Sequence, residues 1–284
     1  MDPIELLQGS ANGPLTPLFL VHAVSGLALP YLALGPLDKT DCRPVYGITS
    51  PIYSSPIYKL PSSLDDVARR YVTRIRREVQ PEGPYLLGGW SMGGMIAVRM
   101  AKVLQEMGEK VLHVIMIDSA NPESFPAFKS KEAHDAMTNT MFDAITRRIA
   151  PPPSAETDTF FPSPVSEQDV AFESDAVDLA NLLTLMRSHI SNGLRIISEA
   201  KPSTSSKSRY ETEVTLIKCT SFVAPLRRYG VKKPVIHCKT MNWKTKDFDS
   251  FQTILFSGDH DGAFDERYVG ELTAIMESIL STVN

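Results

Sequence analysis

The chain has 284 residues, enough to bury a full hydrophobic core in one large domain or one domain with an insertion. Hydrophobic residues make up 43% and charged residues 22%, and the formal charge is -4, which gives no footing for nucleic acid or an anionic membrane surface as partner. Three cysteines, Cys42, Cys219 and Cys238, with no Cys-x-x-Cys pair, argue against a disulfide framework and a thiolate zinc site. The first residues carry neither the basic nor the apolar region of a secretory signal, and no run approaches the ~18 apolar residues of a membrane span. A reduced, cytoplasmic setting is therefore expected.

Residues 1–16 contain Gly9, Gly13 and Pro14 and lack periodicity, so they read as a tail or linker remnant before one domain over 17–284. The apolar run at 17–22 has the pattern of a buried strand and ends in the small-residue turn Ala23-Val24-Ser25-Gly26. A second strand is expected at 44–48. Ser62 and Ser63 offer an N-cap, with Asp65 and Asp66 in the first turn. Leu64, Val67, Ala68, Tyr71, Val72, Ile75 and Val79 follow at helical spacing, until Pro81, Gly83 and Pro84 stop the helix. Arg69, Arg70, Arg74, Arg76 and Arg77 read as its solvated face. The next strand, at 85–88, runs into Gly89-Trp90-Ser91. A helix follows at once, with Ile96, Met100, Val103, Leu104 and Met107 on one side and Gly108 after its end. Another buried strand, 111–117, ends at Asp118. This alternation predicts an α/β fold with parallel pairing, right-handed crossovers and helices on both faces of the sheet.

The pattern then changes. Residues 121 to about 205 contain helical stretches at about 131–149 and 168–199, separated by Pro151-Pro152-Pro153 and Pro162-Ser163-Pro164. The segment is too long for a loop, and it reads as a helical lid insertion merging into a longer helix that returns to the sheet. A polar connection at 202–208 leads to the last two strands, 214–219 and 251–256, and a closing helix at 265–282.

Gly89-Trp90-Ser91-Met92-Gly93 matches Gly-x-Ser-x-Gly, a modest signal by itself. Its position between a strand and a helix is where a nucleophile elbow must lie, with glycines removing the side chains that would clash in a sharp turn. The helix N-terminus behind Ser91 favours negative charge at the reacting centre. Neither Gly-x-Gly-x-x-Gly nor a Walker lysine is present to support nucleotide binding.

A serine nucleophile needs a base, and six histidines are available. His260, in Gly258-Asp259-His260-Asp261-Gly262 after the last strand, is in the right place. His237 competes but precedes that strand. His113 lies inside a strand, His134 and His189 fall in the insertion, and His22 is either structural or a substrate contact. The acid is less direct. Many α/β-hydrolases place it after the penultimate strand, yet Lys218 to Lys246 contains no Asp or Glu. Asp118, at a strand's carboxyl end, is the alternative, with Asp247 and Asp249 left open. The oxyanion hole is expected to combine the N–H of Met92 with that of Ala23.

The strand at 17–22, the Gly-Trp-Ser-Met-Gly-Gly elbow, Ile117-Asp118-Ser119, the helical insertion after it and Gly258-Asp259-His260 together resemble the thioesterase domains of polyketide synthases and nonribosomal peptide synthetases. The resemblance covers about residues 15–280 and is especially close at 83–91. It implies an α/β-hydrolase fold. It also implies release of an acyl or peptidyl chain from the phosphopantetheine thioester of a carrier protein, through an acyl-Ser91 intermediate, with no cofactor of its own. Ser91, Asp118 and His260 would carry the chemistry. One departure is that Ala-Val-Ser-Gly follows His22 in place of a proline- and glycine-rich turn, which touches the assignment of Ala23. A lipase- or esterase-like hydrolase acting on free esters and a non-catalytic relative used for binding are the other readings.

Overall fold

The computed structural model describes residues 2–40, 43–149, 169–200, 209–221 and 238–283. Seven strands, β1 (Ile4–Gln8), β2 (Leu18–Val21), β3 (Val45–Ile48), β4 (Tyr85–Trp90), β5 (Val111–Ile117), β6 (Tyr210–Cys219) and β7 (Phe248–Phe256), form one sheet in the order β1-β3-β2-β4-β5-β6-β7. All neighbours are parallel except β1, which pairs antiparallel with β3. The five longer helices among the described residues are α1 (Leu64–Glu78), α2 (Met92–Glu106), α3 (Lys131–Ile149), α4 (Asp169–Ser198) and α5 (Glu266–Leu280).

Side-chain alternation assigns each strand residue to one of two cores. Phe19, Val21, Leu87, Val114 and Met116 pack with α1 and α2 on one face. Leu18, Leu20, Leu86, Ile115 and Ile117 pack with Leu272 and Met276 of α5 on the other. Covered on both sides, β2 and β4 read as continuous apolar runs. Helix α1 starts where the serines indicated: Ser63 Oγ accepts the Asp66 N–H at 3.1 Å. Asp65 and Asp66 lie in its first turn and Arg76 and Arg77 in its last, matching the helix dipole.

The sheet order creates one topological switch. From β2 the chain moves to β3 on one side, and from β4 to β5 on the other. The carboxyl ends of β2 and β4 therefore flank a crevice that neither connection covers.

Two expectations need correction. Residues 1–16 are not wholly a tail: β1 extends the sheet, Ile4 is buried, and a Cβ on Gly47 would come within 2.9 Å of the Leu7 side chain. Five residues on an antiparallel edge, with Leu6 and Leu7 adjacent, give no clean alternation to read. Strands β6 and β7 also begin earlier than expected, because Tyr210 and Phe248 pair and stack across them.

The helical stretches expected at about 131–149 and 168–199 are α3 and α4. Helix α3 lies along α4, with His134 Nε2 donating to the Ser191 carbonyl at 2.9 Å and Arg187 4.1 Å above the Phe142 ring. Met186, Ile190, Ile196 and Ile197 then bring α4 into the core beside α2. The proline-rich stretches at 151–153 and 162–164, the connection at 202–208, Cys42 and His237 lie outside the described residues. Among the described residues no helix is long and apolar enough to cross a membrane.

An Ile4→Ala variant is expected to lower unfolding free energy by about 2 kcal/mol, read from a urea transition. A loose tail would show no change.

Candidate active site

Ser91 directly follows β4 and is the N-cap residue of α2, with φ 56 and ψ -120. Such a conformation costs a non-glycine residue about 1–3 kcal/mol and persists only where the surroundings enforce it. Here the Ser91 N–H donates to the Ile117 carbonyl at 2.9 Å. A Cβ on Gly93 would stand 2.1 Å from the Val21 carbonyl oxygen, and one on Gly89 would stand 2.3 Å from the Gly93 carbonyl carbon. Only glycines let α2 press this closely on β2 and β4.

Asp118 also has a positive φ, 44, just beyond β5. Its N–H donates to the Ile217 carbonyl at 2.8 Å, and the Cys219 N–H donates to its Oδ1 at 3.0 Å. The carboxylate is buried and its remaining oxygen, Oδ2, lies 2.7 Å from His260 Nδ1. A carboxylate only accepts, so Nδ1 carries the proton and Nε2 presents its lone pair. That nitrogen is 3.1 Å from Ser91 Oγ. The three side chains thus form one hydrogen-bonded chain, a geometry suited to drawing a proton from the serine hydroxyl.

His22, His189 and His113 are tuned the opposite way. Burial lowers His22 to about 3, assisted by the neighbouring His189. Burial lowers His189 and His113 to about 4. At His260 burial also opposes the charged form, but the hydrogen bond and charge of Asp118, with Asp261 and Asp259, outweigh it and raise the pKa above 6.5. His22 is structural: it is fully buried between the Ala23 carbonyl and the Tyr71 hydroxyl. His113 is a strand residue bonded to Thr215 Oγ1 at 2.8 Å. Burial pushes the Cys219 thiol well up, which leaves it a poor nucleophile beside Asp118.

Asp247 and Asp249 do not reach this centre. They lie at the amino end of β7, where Asp249 pairs with Arg209 at 3.3 Å, while the site sits at the carboxyl ends. Met92 is the first residue of α2, so its N–H has no partner within the helix. Ala23 is buried in the turn after β2. Among the described residues no group of three or more His, Cys, Asp and Glu is arranged to hold a metal ion.

A family model described as Thioesterase domain matches residues 16–260. The chain belongs to the thioesterase domain family. Thioesterase pytI of Aspergillus terreus is 40% identical over 314 residues, with 100% of both chains covered. The non-reducing polyketide synthase PKS16 of Cladonia grayi is 36% identical over 146 residues, which are 51% of this chain and 7% of the synthase. Among solved structures, the NocB thioesterase domain in covalent complex with a fluorophosphonate nocardicin G analog superposes with a TM-score of 0.68 at 19% identity, covering 98% of this chain and 99% of that one. That likeness is one of fold.

The thioesterase supports its histidine loop with residues that sequence reading did not single out. Trp90 Nε1 donates to the His260 carbonyl at 3.1 Å, and its ring packs on His260 and Phe264. Tyr31 bridges the crevice: its hydroxyl donates to the Val21 carbonyl at 2.6 Å and accepts the Trp90 N–H at 2.8 Å. Trp90 stood inside the elbow motif and was visible there. Tyr31, in a 3-10 turn 59 residues before the Trp90 N–H it accepts, carried no local signal.

Titration of the His260 ring by NMR is expected to give a midpoint above 6.5, falling in Asp118→Asn. Because the folded-state pKa is raised, the charged ring adds stability that is fully present below the unfolded value and lost as pH rises through the folded one. An unchanged midpoint in the variant would contradict this assignment.

Proposed function

We propose that this thioesterase releases an acyl or peptidyl chain from the phosphopantetheine thioester of a carrier protein through an acyl-Ser91 intermediate. The observation that carries this reading is the 3.1 Å and 2.7 Å relay from Ser91 through His260 to Asp118, built on a strained elbow at the sheet's switch point. The names of the relatives support thioester chemistry and a polyketide setting.

His260 Nε2 takes the Ser91 proton as Oγ bonds to the acyl carbon. The N–H groups of Met92 and Ala23 hold the oxygen that becomes negative. Collapse of this intermediate breaks the carbon–sulfur bond, and His260 returns the proton to the departing thiolate. The imidazolium formed in the first step is the proton donor within reach of the departing sulfur, which leaves as a thiol once protonated. Water then attacks the acyl-serine, or a hydroxyl, amine or carbon nucleophile within the chain does so. His260 takes the proton from that nucleophile and restores Ser91. Asp118 fixes the imidazole tautomer and steadies its charge throughout. The insertion over about 121–205, including α3 and the start of α4, serves as a lid that decides how much water reaches the acyl-enzyme. The chemistry needs no cofactor of the protein's own, and the partner is an acyl or peptidyl carrier protein. A cytoplasmic setting fits the free thiols of Cys219 and Cys238.

Steady-state assays with octanoyl-pantetheine and with 4-nitrophenyl octanoate test the reading. Turnover of the thioester should fall by about 10⁴-fold or more in Ser91→Ala and by ~10³–10⁴-fold in Asp118→Asn. Wild-type rates in Ser91→Ala would overturn it, and a clear preference for the oxygen ester would favour a simple esterase.

A further inference from the structure

The turn after β2 is held by its carbonyls. Ala23, Val24 and Ser25 each present a carbonyl oxygen to a different side chain. His22 Nδ1 donates to the Ala23 carbonyl at 2.6 Å, His189 Nδ1 donates to the Val24 carbonyl at 2.9 Å, and the Tyr53 hydroxyl donates to the Ser25 carbonyl. The Gly26 N–H adds a second bond to the Ala23 carbonyl at 3.0 Å. His22 Nε2 in turn accepts from the Tyr71 hydroxyl at 2.5 Å, and the His22 and His189 rings meet edge to face with centroids 5.0 Å apart. Pinning these three carbonyls fixes the peptide planes that carry the Val24, Ser25 and Gly26 N–H groups, and the His22 N–H is held by the Ile48 carbonyl at 3.1 Å, so Ala23 stands between a fixed strand end and a fixed turn.

One of these pins comes from an unexpected place. His189 belongs to α4, the helix by which the insertion returns to the core, and it is buried. One turn further along α4, Gly193 touches both halves of the same corner. A Cβ there would lie 2.9 Å from Val24 Cγ2 and 3.1 Å from Met92 Sδ. Gly26 takes φ +83 directly under the His189 ring, 2.9 Å from where a Cβ would stand. Helix α4 thus bears on both the Ala23 turn and Met92, from two residues.

We infer that His189 is a positioning residue for the oxyanion-binding corner, and that α4 through His189 and Gly193 ties the seating of the insertion to the alignment of the Ala23 and Met92 N–H groups. The inference rests on the acyl-serine reading above. His189 touches no reacting atom; its effect passes through the Val24 carbonyl. Burial keeps the ring neutral at ordinary pH, which suits a single Nδ1–H donor facing a carbonyl. Asparagine offers a side-chain N–H at a similar reach, whereas leucine fills the space without a donor.

The test compares wild type, His189→Leu, His189→Asn and Gly193→Val with octanoyl-pantetheine as substrate and octyl trifluoromethyl ketone as an inhibitor that becomes an oxyanion on the serine. The His189→Leu change should lower kcat by about 10–100-fold, less than outright loss of an oxyanion donor, with KM within about threefold. Affinity for the ketone should fall in parallel, and His189→Asn should recover most of both. A loss confined to KM, a loss that asparagine does not restore, or wild-type kcat in His189→Leu would overturn the inference. Should His189→Leu fail to fold, Gly193→Val decides: a parallel fall in kcat and ketone affinity supports the corner's dependence on α4, and unchanged values refute it. Failure of the wild-type enzyme itself to bind the ketone or turn over the thioester would instead count against the acyl-serine reading.

Discussion

The close approach of α2 to the carboxyl ends of β2 and β4 governs the rest of the site. With a Cβ at Gly93 the helix would collide with the Val21 carbonyl, and with one at Gly89 the elbow would collide with the first turn of α2. Because both are glycines, Ser91 can be held at φ 56, and as the first residue of α2 Met92 keeps its N–H outside the helical bonding pattern. The strain at Ser91 is sustained by a core that is buried on both faces of the sheet.

Around that elbow the sheet distributes the remaining groups by topology. Strand β2 delivers the Ala23 turn, β5 delivers Asp118 and the loop after β7 delivers His260, all at carboxyl ends. Tyr31 stitches the β2 end to the β4 end, and Trp90 ties the elbow to the histidine loop. Asp118 is fixed from β6 by the Cys219 N–H on Oδ1, and its Oδ2 is directed at His260. In the proposed mechanism the acid therefore need not follow the penultimate strand: β6 supplies a backbone donor to Asp118 instead.

Much of this was legible in the sequence because the signals were local. The elbow lay between a strand and a helix, the histidine lay between two glycines after the last strand, and the absence of acids from Lys218 to Lys246 directed attention to Asp118. The interior strands were readable because burial on both faces leaves unbroken apolar runs. Strand β1 was not, because an edge strand of five residues leaves some of its side chains exposed and its pairing is set by β3. Tyr31, Tyr53 and His189 were also hidden. Each acts on a backbone carbonyl in another segment of the chain, and a carbonyl acceptor leaves no trace in residue type.

In the proposed reaction Ser91 carries the acyl chain. Incubating the enzyme with an octanoyl-loaded carrier protein, quenching in acid within seconds and digesting it for mass spectrometry addresses this directly. One octanoyl mass increment is expected on the peptide that contains Ser91, absent when Ser91 is alanine. An unmodified Ser91 peptide despite release of free octanoate, or the increment on another residue, would contradict it.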